Sequence, residues 1–80
     1  MKLHIQAFGI AKEILGSSRI EHELPDPGTV EQLLASLKSV YPDFEKLASL
    51  MVAVNTEYAE ASQQLQESDE VVLIPPVSGG

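Results

Sequence analysis

Leu3, Ile5 and Ala7 alternate with Lys2, His4 and Gln6, the period of a strand with one buried face. Gly9 ends that run, and Ile10 to Leu15 reads as one or two helical turns closed by Gly16. Ile20, His22 and Leu24 alternate with Arg19, Glu21 and Glu23, giving a second strand and a hairpin with a long connection. Pro25-Asp26-Pro27-Gly28 is a turn cluster. Thr29 and Gln32 then form a capping-box pattern, in which the Thr29 hydroxyl accepts from a backbone amide and Gln32 reaches back. Val30, Leu33, Leu34, Leu37 and Val40 recur at helical spacing, so this is the one long helix, with its stripe facing a sheet. It should stop near Tyr41, because Pro42 restricts the residue before it.

Residues 43–49 read as a further helical turn with Phe44 and Leu47 facing in. Met51-Val52-Ala53-Val54 reads as a buried strand, followed by a tight turn at Asn55-Thr56-Glu57 and a short strand around Tyr58 to Ala61. Leu65 packs inward, Ser68-Asp69 is a turn, and Glu70 to Ile74 is the last strand, ended by Pro75 and Pro76, which cannot donate to a ladder. The order is strand, strand, helix, strand, short strand, strand. This predicts an α+β domain of the β-grasp (ubiquitin-like) layout, a mixed sheet of about five strands packed on one main helix. The 80 residues make one domain, 1–80, with a flexible diglycine tail at 77–80.

Composition narrows the chemistry. There is no cysteine, so no disulfide, thiolate metal site or cysteine nucleophile is available. A net charge of −7 makes nucleic acid and anionic membranes poor partners. No signal-peptide pattern or bilayer-length apolar run occurs, which points to the cytoplasm. His4 and His22 sit at no ligand spacing, the serines lie in no nucleophile-elbow context, and no glycine loop for phosphate occurs. No catalytic constellation, bound cofactor or metal is therefore expected. The scattered acidic residues read as a solvated surface, or alternatively as a field that steers a basic partner.

The informative segment is the end, Pro75-Pro76-Val77-Ser78-Gly79-Gly80. Two terminal glycines arise by chance in roughly 0.5% of chains. Here they follow directly from a strand, and two prolines stiffen the exit. From Val77 onward the reach is about 13 Å, at about 3.3 Å per residue. A carboxylate is a poor acyl donor and must be activated, most simply by adenylation in another protein's nucleotide site. A thin peptide without Cβ atoms threads a narrow channel to that site, while the body docks outside. A frayed end or a cloning remnant would also leave two glycines; the strand and prolines argue against it. Phe8 has two placements: exposed on the opposite face of the first strand as a docking anchor, or turned into the core.

The closing segment, Leu65-Gln-Glu-Ser-Asp69-Glu-Val-Val-Leu-Ile-Pro-Pro-Val-Ser-Gly-Gly80, resembles the small subunit of molybdopterin synthase. Phe8, Lys12-Glu13, Gly16 and Val52-Ala53-Val54-Asn55 extend the resemblance over nearly all of the chain. One departure is Ser68, where that family carries a turn glycine before Asp69. The resemblance implies a non-catalytic sulfur-carrier subunit of a transferase complex. Gly80 would be adenylated by an ATP-dependent activating enzyme, receive sulfur from a donor protein, and become a C-terminal thiocarboxylate. It would then deliver sulfur to a cyclic pyranopterin precursor within a heterotetramer of two large and two small subunits. Val77, Ser78 and Gly79 would line the channel passage. Phe8, Lys12, Ile74, Pro75 and Pro76 would dock the partner. Other readings stay open: a carrier for thiamine thiazole formation, a ubiquitin-like modifier, or a binding-only module.

Overall fold

The computed structural model describes residues 1–47 and 50–75. Strand β1 (Lys2–Ala7) leads into helix α1 (Gly9–Leu15), which Gly16 closes in a left-handed conformation. Strand β2 (Arg19–Glu23) returns antiparallel to β1. The two-residue strand β3 (Gly28–Thr29) runs into helix α2 (Val30–Val40). A 3₁₀ turn (Pro42–Lys46) follows, then β4 (Met51–Val54), β5 (Glu57–Tyr58), β6 (Gln64–Leu65) and β7 (Glu70–Ile74).

The main sheet is mixed, in the order β2-β1-β7-β4-β5. Only the central β1–β7 pair is parallel, with Ala7 opposite Leu73. A parallel pair needs a crossover, and α2 lies on it. Leu3, Ile5, Val52, Val54, Val71 and Leu73 form the sheet's contribution to one buried core. Ala11 and Leu15 of α1, Val30, Leu33 and Leu37 of α2, and Phe44 of the 3₁₀ turn cover them. This is the expected α+β layout of five strands against one main helix. No polar side chain is buried among the described residues.

The start of α2 follows from local chemistry. The Thr29 hydroxyl accepts from the Gln32 amide at 3.3 Å, and the Gln32 side chain accepts from the Thr29 amide at 2.9 Å. Both orphan donors are thereby satisfied. Its far end differs from expectation: Val40 ends the stripe 59% exposed, one step past the region the sheet covers. The short helix after Pro42 is a 3₁₀ turn ending at Lys46, and Ser49 lies outside the described residues. The expected strand near Tyr58 to Ala61 is shorter, Glu57–Tyr58.

A second sheet, β3 with β6, was not visible in the sequence pattern. It places Gly28 opposite Leu65. A Cβ on Gly28 would come 2.5 Å from Leu24 Cδ2 and 2.8 Å from the Pro25 carbonyl, so only glycine fits there. Ser68 does not need a glycine's conformation. Among the described non-glycine residues only Asn55 and Thr56 have positive φ. The Ser68–Asp69 turn is closed instead by Asp69, whose amide donates to the Gln66 carbonyl at 2.9 Å while its carboxylate accepts from the Gln66 amide at 2.8 Å.

His22 is half-buried on the helix side of β2, with Nε2 2.7 Å from the Ser36 hydroxyl of α2. Burial holds its imidazole below the ordinary value. The unfolded chain therefore takes up this proton first as pH falls through about 6.5. The contribution to stability is complete above that value and declines as pH falls toward the folded-state pKa. We expect the urea midpoint to drop between about pH 7.5 and about pH 5.5, and His22→Gln to flatten that drop. A slope unchanged in the variant would place the sensitivity elsewhere.

Candidate functional site

Strand β7 carries the tail, and it is the central strand of the sheet. Its neighbours fix its register on both sides: Val71 and Leu73 face Ile5 and Ala7 of β1, and Val54 and Val52 of β4. The base of the tail is thus held by two ladders and by two buried side chains. Val72 and Ile74, both half-buried, alternate onto the opposite, outer face, away from the buried Val71 and Leu73.

The outer face divides into two halves. At the tail end, Met51 pairs with Ile74, Ala53 with Val72, and Tyr58 with Ala53. Phe8 continues β1 by one extended residue, φ −128° and ψ 161°, so alternation turns it to the same face, opposite Ala7. Phe8 is 55% exposed and Met51 49% exposed. This decides between the two placements of Phe8 in favour of the exposed one. At the other end the face is charged: Lys2, His4 and Gln6 of β1 lie opposite Glu23, Glu21 and Arg19 of β2. The Lys2 ammonium is 3.5 Å and His4 Nδ1 4.0 Å from Glu21. These exposed pairs keep that end hydrated. Large exposed apolar side chains clustered beside such a rim mark a surface that meets another molecule.

Pro75 is the last described residue, and it rests against the β1–α1 corner. Gly9 sits there at φ +56°, and a Cβ on it would meet Pro75 Cγ at 3.4 Å. Glycine takes that backbone without strain and brings the start of α1 against the tail's root. The end of β1 with Phe8, the end of β7 with Ile74, and Pro75 thus lie side by side. Lys12 does not share their face: it is exposed on α1, in a depression with Gly9, Ile10, Glu13 and Gly16. Pro76, Val77, Ser78, Gly79 and Gly80 lie outside the described residues.

Sequence reasoning missed Met51, which read as part of a buried strand, and Tyr58, which read only as the start of a short strand. The available signal was the run Met51-Val52-Ala53-Val54, apolar at every position where a half-covered strand alternates. The same holds for Val71-Val72-Leu73-Ile74. Among the described residues no group of three or more metal-ligating side chains converges, and no helix is long and apolar enough to cross a membrane.

Comparison with known proteins gives concordant matches. The ThiS family model matches residues 5–80. The molybdopterin synthase sulfur carrier subunit of Dictyostelium discoideum is 38% identical over 80 residues, covering 95% of this chain and 93% of the relative. Among solved structures, a putative molybdopterin converting factor subunit 1 from Pyrococcus furiosus superposes with a TM-score of 0.87 at 26% identity, covering 96% of this chain and 99% of the other. SAMP1 from Haloferax volcanii superposes with a TM-score of 0.84 at 26% identity, covering all of both chains.

Proposed function

This chain belongs to the ThiS family, and we propose that within it the protein is the sulfur carrier subunit of a molybdopterin synthase, acting in the cytoplasm. The observation that carries this reading is the position of the tail's root: Pro75 leaves the central strand at the border of an exposed apolar face. Rigid docking and a thin, projecting acyl group are the two parts a carrier needs.

The chemistry divides between this chain and its partners. An activating enzyme binds ATP; a Gly80 carboxylate oxygen attacks the α-phosphorus and pyrophosphate leaves. The outer sulfur of a persulfide on a donor protein then attacks the carbonyl carbon of the acyl adenylate, and AMP departs. A thiol attacks the donor's inner sulfur of the acyl disulfide so formed, takes the donor into a new disulfide and releases the thiocarboxylate. The resulting thiocarboxylate enters the large subunit and gives its sulfur to a pyranopterin precursor, and water restores the carboxylate. This chain binds no cofactor in the sequence. Its own contribution is positioning. The apolar half of the outer face docks each partner, and Gly79 and Gly80 pass a channel too narrow for a Cβ.

The experiment is the intact mass of the protein after incubation with its activating enzyme, ATP and a sulfur source. Replacement of one oxygen by sulfur at Gly80 is the expected result. A carboxylate that stays unchanged under those conditions ends the carrier reading. Phe8→Ala tests the docking half: truncating a central aromatic anchor should weaken binding to the large subunit by about thirtyfold, with the melting temperature little changed. An unchanged affinity would move the interface away from the outer face.

A second reading has support in the superposition on SAMP1, a small archaeal modifier. A modifier would end as an amide of Gly80 with a target lysine. Mass spectrometry of cell lysates separates the two, since branched peptides carrying the tail appear only in that case.

A further inference from the structure

We propose that Met51 is a redox-sensitive modification site, whose conversion to the sulfoxide by hydrogen peroxide switches off partner docking. The proposal rests on the docking role given above to the outer face. Met51 lies directly opposite Ile74, the last paired residue of the tail-bearing strand, and half of its surface is open. Its thioether therefore sits inside the apolar half of the face, next to the tail's root. The chain holds no cysteine to consume peroxide first, and its only other methionine is Met1. Met1 is less open than Met51: it is partly buried against the core, and its backbone is tied to Leu24, the amino group donating to the Leu24 carbonyl at 2.7 Å and the carbonyl accepting from the Leu24 amide at 2.9 Å.

The step balances simply. The thioether sulfur attacks one peroxide oxygen, the O–O bond breaks, and water leaves. Sulfur loses two electrons and the peroxide gains them. The product is a polar, chiral sulfoxide in place of a flexible apolar side chain. On a free surface this costs nothing, because water solvates the new oxygen. In a dry interface the sulfoxide loses that water without gaining a partner, so the penalty falls on the complex and spares the fold. Reduction by a methionine sulfoxide reductase with thiol as reductant restores the thioether. Docking of a carrier of reduced sulfur would in this way follow the peroxide level.

The test uses the full chain in its carboxylate form, because a thiocarboxylate would itself consume peroxide. The carrier is treated with hydrogen peroxide, desalted, and titrated with the untreated large subunit of its molybdopterin synthase. The readout is the ratio of Kd after and before treatment, each protein compared with itself. We expect a ratio of about ten for the wild type, with the added oxygen mapped to Met51, and a ratio near one for Met51→Leu. Met51→Gln, which installs a polar group without oxidant, should weaken binding by a similar factor. A wild-type ratio of one after full oxidation of Met51 overturns the proposal, and so does an equal loss in Met51→Leu. If the untreated wild type fails to bind the large subunit at all, the docking reading itself falls.

Discussion

Deleting Gly79 and Gly80 is expected to abolish sulfur loading while leaving the melting temperature unchanged within experimental error. Among the described residues, every member of the core cluster lies between Leu3 and Leu73, and the ladders that hold β7 end at Ile74. The deletion leaves each of those contacts in place, and changes away from such features typically alter stability by less than about 0.5 kcal/mol. The acyl group, by contrast, has no substitute. A truncated chain would end on the Ser78 carboxylate, shorter by about 7 Å at about 3.3 Å per residue. Reacting atoms must approach within about 3.5 Å, so a shortfall of that size prevents attack on a bound nucleotide. Removing Gly80 alone, a shortfall of about 3.3 Å, should already be severe. The assay is thiocarboxylate formation by intact mass, with thermal unfolding as the control. Loading at the wild-type rate after either deletion would return the protein to the binding-only reading.

The parts legible in the sequence were those fixed by short-range chemistry. The alternation of Leu3, Ile5 and Ala7 and the Thr29–Gln32 box each depend on residues within a few positions, and both appear in the fold. The β3–β6 pair joins two-residue segments that are 37 positions apart at Gly28 and Leu65, with no alternation to announce it. The pairing of Gly28 with Leu65 and of Thr29 with Gln64 defines it, and that is a tertiary fact. The site was half legible for a related reason. An apolar residue in a strand reads as core unless the sheet is known to have an uncovered face. Ile74 was named as the residue before the tail and Phe8 from strand alternation and the resemblance, whereas Met51 and Tyr58 reach the same patch only through the β4 register. Lys12 was near in sequence to Phe8, yet the left-handed turn at Gly9 starts a helix that carries it away from the outer face.

Phe44→Ala should have the largest effect on stability, and it separates the scaffold from the cargo. Phe44 is 1% exposed, stands edge-on to Tyr41 at 6.2 Å, and belongs to the cluster that closes the core beside α2. Truncating a buried phenylalanine costs about 3–5 kcal/mol, because the transfer energy is lost and a cavity remains. A domain of 80 residues has about 4–12 kcal/mol in total. The variant should therefore melt at least about 12 °C lower, with a substantial unfolded fraction at physiological temperature. Its loss of function is a loss of population, and populations answer to mass action. A partner present at a hundred times its Kd restores about 2.7 kcal/mol to the folded state. Sulfur transfer by Phe44→Ala should thus recover as the large subunit is raised, whereas the chain lacking Gly79 and Gly80 should stay inactive at any concentration. If Phe44→Ala fails to recover although circular dichroism shows it refolded on its partner, the 3₁₀ turn has a part in transfer beyond holding the core.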